Sequence, residues 1–323
     1  MPPSGLHAMS HRWAVAVMVL VTLLWSMAGV VTRQVEQAQG LELTFWRSAF
    51  NALALLAFLS WRAGGLRPLW LSLIRGGGLL WASGACWAVM FTAFMAALTM
   101  TTVANVLLTM ALAPLFTALL ARLVLSQSLQ RRTVVAIALA VMGMVWMQAP
   151  LIWPTEAELG ATADSAAQSH ARDGHLLGIL VSLAVPLGGA LNWVIIRRGA
   201  VEPIRGEGQG ATVDLMPAVF IGAVLSAAVT AAWALPAQAT AQDLGWLALL
   251  GVFQLALPCL LAVMVAQRLS PTEVSLLSLL EVVFGVAWAW WGTDEAPSAS
   301  VLAGGALVLG ALVVNEAWPK TQD

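Results

Sequence analysis

Apolar runs long enough to cross a bilayer recur ten times in this chain, near 13 to 32, 43 to 61, 78 to 98, 102 to 124, 132 to 149, 176 to 196, 213 to 234, 245 to 266, 272 to 291 and 299 to 317. A helix of about 20 apolar residues spans roughly 30 Å of hydrocarbon, so each run reads as a transmembrane helix. Sixty per cent of the residues are hydrophobic and 10% charged, with a mean hydropathy of +0.85. A soluble domain of this length does not carry that composition. The net charge of −1 leaves no basic surface for nucleic acid. The expected fold is an all-α membrane protein of ten transmembrane helices.

Basic residues set the orientation, because Lys and Arg stay on the cytoplasmic side. With the N-terminus inside, the cytoplasmic segments and span ends receive Arg12, Arg62, Arg67, Arg75, Arg122, Arg131, Arg132, Arg197, Arg198, Arg205, Arg268 and Lys320, and the outside receives Arg33 and Arg172. Arg47 falls inside a span. Residues 1–12 and 318–323 are then cytoplasmic tails in the inner, or plasma, membrane. Ser26-Met27-Ala28 has the look of a signal-peptide cleavage site. The internal repeat needs that first span intact.

Residues 150–175, with Glu156, Glu158, Asp164 and Asp173 among Ala, Ser and Thr, read as an external flexible linker. It separates a first five-helix repeat over 13–149 from a second over 176–317. A shift of 168 lays Thr102-Val103-Ala104 on Ser270-Pro271-Thr272, Phe116 on Phe284, Ala121 on Ala289 and Gln127 on Glu295. Near the first span a shift of 164 pairs Val30 with Val194 and Arg33 with Arg197. Five spans is an odd number, so the repeats are inverted, an arrangement that builds alternating-access proteins with a midplane site. Gly206-Glu207-Gly208-Gln209-Gly210 lacks the Lys-Ser/Thr ending of a phosphate loop and reads as a connector.

The segments "LLWSMAGVVTR", "FWRSAF", "TTVANVLLTMALAPLFTALLARLVLSQSL" and "LSPTEVSLLSLLEVVFGVAWAW" resemble the ten-span drug/metabolite transporter superfamily with two EamA-type repeats. The resemblance covers the chain apart from its tails and the linker. It implies a central cavity lined by spans 1, 3, 4, 6, 8 and 9, with spans 5 and 10 peripheral. In that family the fourth and ninth spans often carry Pro, preceded in the ninth by Glu. Here Pro114 fits the fourth, whereas the ninth reads Glu281-Val282. The family's Gly-Glu after the fourth span is Ser126-Gln127 here, so no acidic role carries over to that turn.

Glu281 is the residue that most needs explanation. About ten apolar or small residues flank it on each side, which places a carboxylate near midplane, where an ionised group costs roughly 2.5–3.5 kcal/mol. It is either a structural acid hydrogen-bonded to Ser278 or a neighbouring helix, or a participant in a transport cycle. Helical spacing puts Val274, Ser278, Glu281, Gly285 and Trp288 on one face of span 9, and Asn105, Thr109 and Ala113 on one face of span 4. Span 8 contributes Gln254. Asn105, Gln254 and Glu273 serve either as helix–helix glue or as ligands. Arg47, with Asn51 on its face, either snorkels outward as an anchor or attracts an anionic substrate. Small residues in span 5 (Ala136, Ala140, Gly143) and span 10 (Gly305, Ala306, Gly310) are explained by close helix packing.

Of the 16 Trp, eleven fall at span ends, where rings settle at headgroup level: Trp13, Trp61, Trp70, Trp81, Trp146, Trp153, Trp233, Trp246, Trp290, Trp291 and Trp318. The remaining five, Trp25, Trp46, Trp87, Trp193 and Trp288, are candidate cavity walls, Trp25 and Trp87 first because the resemblance puts their spans at the cavity. The four His lack ligand spacing, and Cys86 and Cys259 are lone apolar filler, so no metal or cofactor is expected. No nucleophile with a paired base is present. The expectation is a secondary transporter, an exporter rather than an importer, of a small organic metabolite such as an amino acid or related compound. Protons are the candidate coupling ion and membrane lipids the surrounding partners. A lipid or lipid-sugar flippase on the same fold, and a membrane enzyme on a lipid-linked substrate, are the competing classes. Asp214 and the 197–212 loop supply too few polar groups for such an enzyme.

Overall fold

The computed structural model describes residues 10–38, 40–101, 106, 109–126, 130–147, 167–201, 213–235, 237–292 and 299–317, without the side chains of 167–176, 289, 290, 292, 316 and 317. Its regular elements among these residues are all helical. They are α1 (His11–Ser26), α2 (Ala28–Thr32), α3 (Gly40–Ala63), α4 (Leu66–Arg75), α5 (Gly77–Met100), α6 (Ala113–Leu125), α7 (Arg131–Met147), α8 (Ala167–Val201), α9 (Met216–Thr230), α10 (Ala241–Leu249), α11 (Leu257–Ala266), α12 (Pro271–Ser278), α13 (Leu280–Gly292) and α14 (Ala299–Ala317). Seven helical stretches are long and apolar enough to cross a membrane: 11–32, 40–63, 77–100, 177–201, 216–233, 241–266 and 271–288. Two shorter apolar helices span 113–125 and 299–315, and α7 occupies the fifth apolar run.

Two elements differ from expectation. Helix α4 was not foreseen, because ten residues are too few to register as a span. Gly64 and Gly65, at φ 78° and 139°, turn the chain out of α3 and into it. Leu69 and Leu73 face inward, while Leu66, Trp70 and Ile74 stay exposed. Helix α8 begins at Ala167, so the last nine residues of the expected linker are helical rather than irregular.

Helix is interrupted at three places, twice without proline at the break and once two residues before Pro114. The chain leaves regular helix at Met27 between α1 and α2, at Ala111–Leu112 before α6, and at Leu279 between α12 and α13. Just before each break a hydroxyl bonds back onto its own helix: Ser26 to the Leu23 carbonyl (2.7 Å), Thr109 to Val106 (2.7 Å) and Ser278 to Val274 (2.8 Å). Such back-bonding competes for the carbonyls that hold a helix straight. Span 9 therefore bends although Val282 stands where the family's proline would. Two further irregularities lie nearby, a π-helical segment at Leu250–Ala256 between α10 and α11, and Pro186 inside α8.

Glycines set the close approaches. A Cβ on Gly222 would lie 2.3 Å from Cβ of Trp87, and one on Gly84 2.6 Å from Ile221, so α5 and α9 touch backbone to side chain. Gly251 of the π segment sits on the Arg47–Asn51 turn of α3, where a Cβ would be 2.7 Å from the Arg47 carbonyl. Helices α7 and α14 meet through Gly143 and Gly304. The small stripe expected in span 10 is corrected here: a Cβ on Gly305 or Gly310 would meet nothing within 4 Å, and Ala306 is exposed. Where the α2–α3 connection meets the segment leading into α10, Glu42 accepts from the backbone N–H groups of Gln238 and Ala239, and Asp243 from those of Glu36 and Gln37. Ser126 ends α6 with φ 52°, a left-handed position where the family carries Gly.

Candidate functional site

The breaks surround a cavity with about 790 Å³ of unfilled space, counted to its open mouth. Its wall combines Trp25 of α1, Arg47 of α3, Trp87, Met90, Phe91 and Phe94 of α5, and Met110 and Ala113 at the start of α6. Val185, Pro186, Gly189 and Trp193 of α8, Gln254, Leu255 and Cys259 of the π segment and α11, and Ser275, Ser278 and Glu281 across the α12–α13 break complete it. Several of these residues stand at helix ends beside the breaks: Trp25 near the end of α1, Ala113 at the start of α6, and Ser278 and Glu281 on either side of Leu279. Arg47 adds α3 to the set of helices the resemblance implied.

The break at Leu279 makes Glu281 a first-turn residue of α13, the end of a helix whose dipole favours a carboxylate. No hydrogen bond or ion pair from the described residues reaches it. The bond expected from Ser278 is absent, since that hydroxyl donates to the Val274 carbonyl. Arg47 and Glu281 line the same cavity and act on one another electrostatically, yet no ion pair joins them.

Arg47 does not snorkel. Its side chain is 3% exposed and points inward, donating from Nη2 to the Phe91 carbonyl (3.3 Å), while its Nε has no partner. Asn51, one turn on, is fully buried, and neither its Oδ1 nor its Nδ2 is satisfied. Gln254 donates from Nε2 to the Trp25 carbonyl (3.2 Å), leaving its Oε1 unpartnered. Trp87, 1% exposed, stands edge-on to Trp193 with ring centroids 5.7 Å apart, and its Nε1 has no acceptor.

Six of the candidate residues thus come together: Glu281, Ser278, Gln254, Trp25, Trp87 and Arg47. Thr109 is not in the wall; its hydroxyl lies 2.9 Å from that of Ser182 on α8 and ties its segment to that helix. Asn105 falls outside the described residues. Val274 packs into the core, and Ser275, with an unpartnered hydroxyl and three residues before Ser278 on α12, lines the cavity instead. Glu273 is neither glue nor ligand, for it closes a capping box with Ser270. The spacing S-x-x-E at Ser270–Glu273 carries that signal. Trp46 packs on Phe45 and Phe50, and Trp288 donates to Ser26 (3.0 Å), so neither lines the cavity, whereas Trp193 does. Trp246, expected at headgroup level, joins a small second cluster with Leu247 and Leu250. Cys259, expected as filler, is in the wall; nothing in its sequence neighbourhood signals it. Among the described residues no three His, Cys, Asp or Glu gather as metal ligands.

The fold and the site together define a multi-pass helical membrane protein with a central polar-and-aromatic cavity. The model of the EamA-like transporter family matches twice, over residues 12–148 and 176–316, and the chain belongs to that family, whose members are transporters. A solved crystal structure superposes with a TM-score of 0.75 at 17% identity, covering 97% of this chain and 100% of that one, which shows the fold alone. Comparison with curated proteins finds no match.

Proposed function

We propose that this chain is a ten-span secondary transporter of a small organic metabolite, such as an amino acid or related compound. It works by alternating access between two inverted five-helix repeats and exports its substrate across the inner membrane in exchange for protons. The observation that carries this reading is Glu281, a carboxylate without a partner, held at mid-depth in a cavity where several helices break. Discontinuous helices around a midplane site are the usual construction of such transporters.

The 168 shift supports the repeat. It lays the break at Ala111–Leu112 on Leu279–Leu280, and cavity residues Met110 and Ala113 on cavity residues Ser278 and Glu281. Trp87 and Phe91 fall on Leu255 and Cys259, also in the wall. The acid is present on one side of the pseudo-symmetry and replaced by Ala113 on the other, so one proton per turnover is the expected stoichiometry.

The orientation is tested by single cysteines. A Cys replacing Ser165 reacts with an impermeant thiol reagent from outside the cell, and one replacing Gly208 does not, since twelve basic groups against two put these loops on opposite faces. The reverse labelling overturns the orientation. The transport reading is tested with purified protein in proteoliposomes under an imposed pH gradient, using a metabolite panel. Within that assay Trp87→Ala weakens apparent affinity for the transported compound about tenfold or more, while Trp291→Ala, 86% exposed and facing the headgroup layer, leaves it within about twofold. Equal effects at equal expression remove Trp87 from the binding wall.

A further inference from the structure

The unmet polarity of the cavity is of two kinds. Arg47 Nε and Trp87 Nε1 are donors only, and each lacks an acceptor. Gln254 Oε1 is a buried acceptor without a donor, the half-buried Glu281 carboxylate accepts from none of the described residues, and the unpartnered Ser275 hydroxyl can serve either way. The Gln254 amide is not free to turn around and cancel this, because its nitrogen is committed to the Trp25 carbonyl. Buried polar atoms are normally satisfied, so the unmet groups on residues lining one cavity describe what is missing from it. Arg47 and Glu281 do not meet these needs by pairing with one another.

Resting on the transporter reading, we propose that the cavity is built for a zwitterion: a small molecule with an apolar body whose anionic group is taken by Arg47 and Trp87, and whose ammonium group is taken by Glu281 and Gln254. A purely cationic ligand leaves a buried guanidinium desolvated without a counter-charge, and a purely anionic one does the same to Glu281. A bipolar ligand completes both ends while Glu281 is ionised, without a further proton or counter-ion. The aromatic rings of Trp25, Phe91, Phe94 and Trp193 supply the surface against which its apolar body is buried. Because the ammonium group and a coupling proton then compete for one carboxylate, substrate release and protonation are the same event.

The test uses the purified full-length protein in detergent, with ligand-induced thermal stabilisation as the readout and four probes. L-leucine and 6-aminohexanoate carry both charges at different separations, 3-methylbutylamine carries only the positive one, and 4-methylpentanoate only the negative. At least one zwitterion binds about tenfold to a hundredfold more tightly than either monopolar probe, the factor expected of a hydrogen bond to a charged group. Arg47→Gln abolishes its advantage over the amine, and Glu281→Gln its advantage over the acid. Trp87→Phe, which keeps the ring and removes only the Nε1 donor, reduces the advantage over the amine several-fold and guards against a variant that fails to fold. A monopolar probe binding as tightly as both zwitterions, or no zwitterion binding at millimolar concentration, overturns the proposal. Gradient-driven transport of the amine alone overturns it while leaving the transporter reading intact. Tight zwitterion binding without transport does the opposite.

Discussion

Glu281→Gln folds normally, permits at most exchange of substrate across the membrane, and loses proton-driven accumulation down to the level of protein-free vesicles. The amide keeps the size of the protonated acid but can neither take up nor give back a proton, so a cycle that alternates between the two forms stops in one of them. Glu281→Ala loses exchange as well, because it also removes the group that holds the ligand. No hydrogen bond or ion pair from the described residues reaches this carboxylate, and Arg47 feels it only across the cavity. The fold therefore tolerates the change. The measurement is accumulation in proteoliposomes with and without an imposed pH gradient, together with counterflow at equal pH. Accumulation by the Gln variant at the wild-type rate would leave Glu281 a structural acid and move the coupling elsewhere.

The largest stability effect is expected far from the cavity, at the contact of α7 with α14. A Cβ at residue 304 would lie 2.3 Å from Met147 Cγ, 2.4 Å from the Gly143 carbonyl oxygen and 2.8 Å from the Met147 backbone nitrogen. Two of those three atoms are backbone and cannot turn aside. Gly304→Ala therefore forces the helices apart and costs about 1–3 kcal/mol, the usual range for overpacking a tight interface. Gly305→Ala, one residue away, meets nothing within 4 Å and gains up to about 1 kcal/mol from the better helix former. Thermal unfolding of the two variants in the same detergent separates them. Equal midpoints would mean that α7 and α14 are not held by this contact. Ligand binding by the folded Gly304→Ala protein is unchanged, because neither helix lines the cavity.

Much of the architecture was legible in the residues alone, and the exceptions share a cause. Run length and charge placement are local quantities, so the apolar helices and the isolated carboxylate of span 9 are visible in the sequence, as is the weak 168-residue repeat. Their physics is that of transfer between water and hydrocarbon, which each residue experiences whatever its neighbours do. Where a side chain points is different, because it depends on how a helix is rotated and what packs against it. Arg47 was equally able to reach the headgroups or the interior until Gly251 brought the π segment onto its turn and Phe91 offered a carbonyl. Span 10 shows two adjacent glycines, and only the placement of Met147 makes Gly304 the contact and Gly305 the idle one. Trp46, Trp193 and Trp288 are alike by position in their spans, yet one alone faces the cavity. The breaks at Met27, Ala111 and Leu279 follow hydroxyls that the sequence displays, but Ser and Thr recur elsewhere in straight helices. Composition and spacing determined that this chain is a helical membrane protein with one acid in its midst; the packing of helix against helix decided that Arg47, three tryptophans and Gln254 line one cavity with that acid.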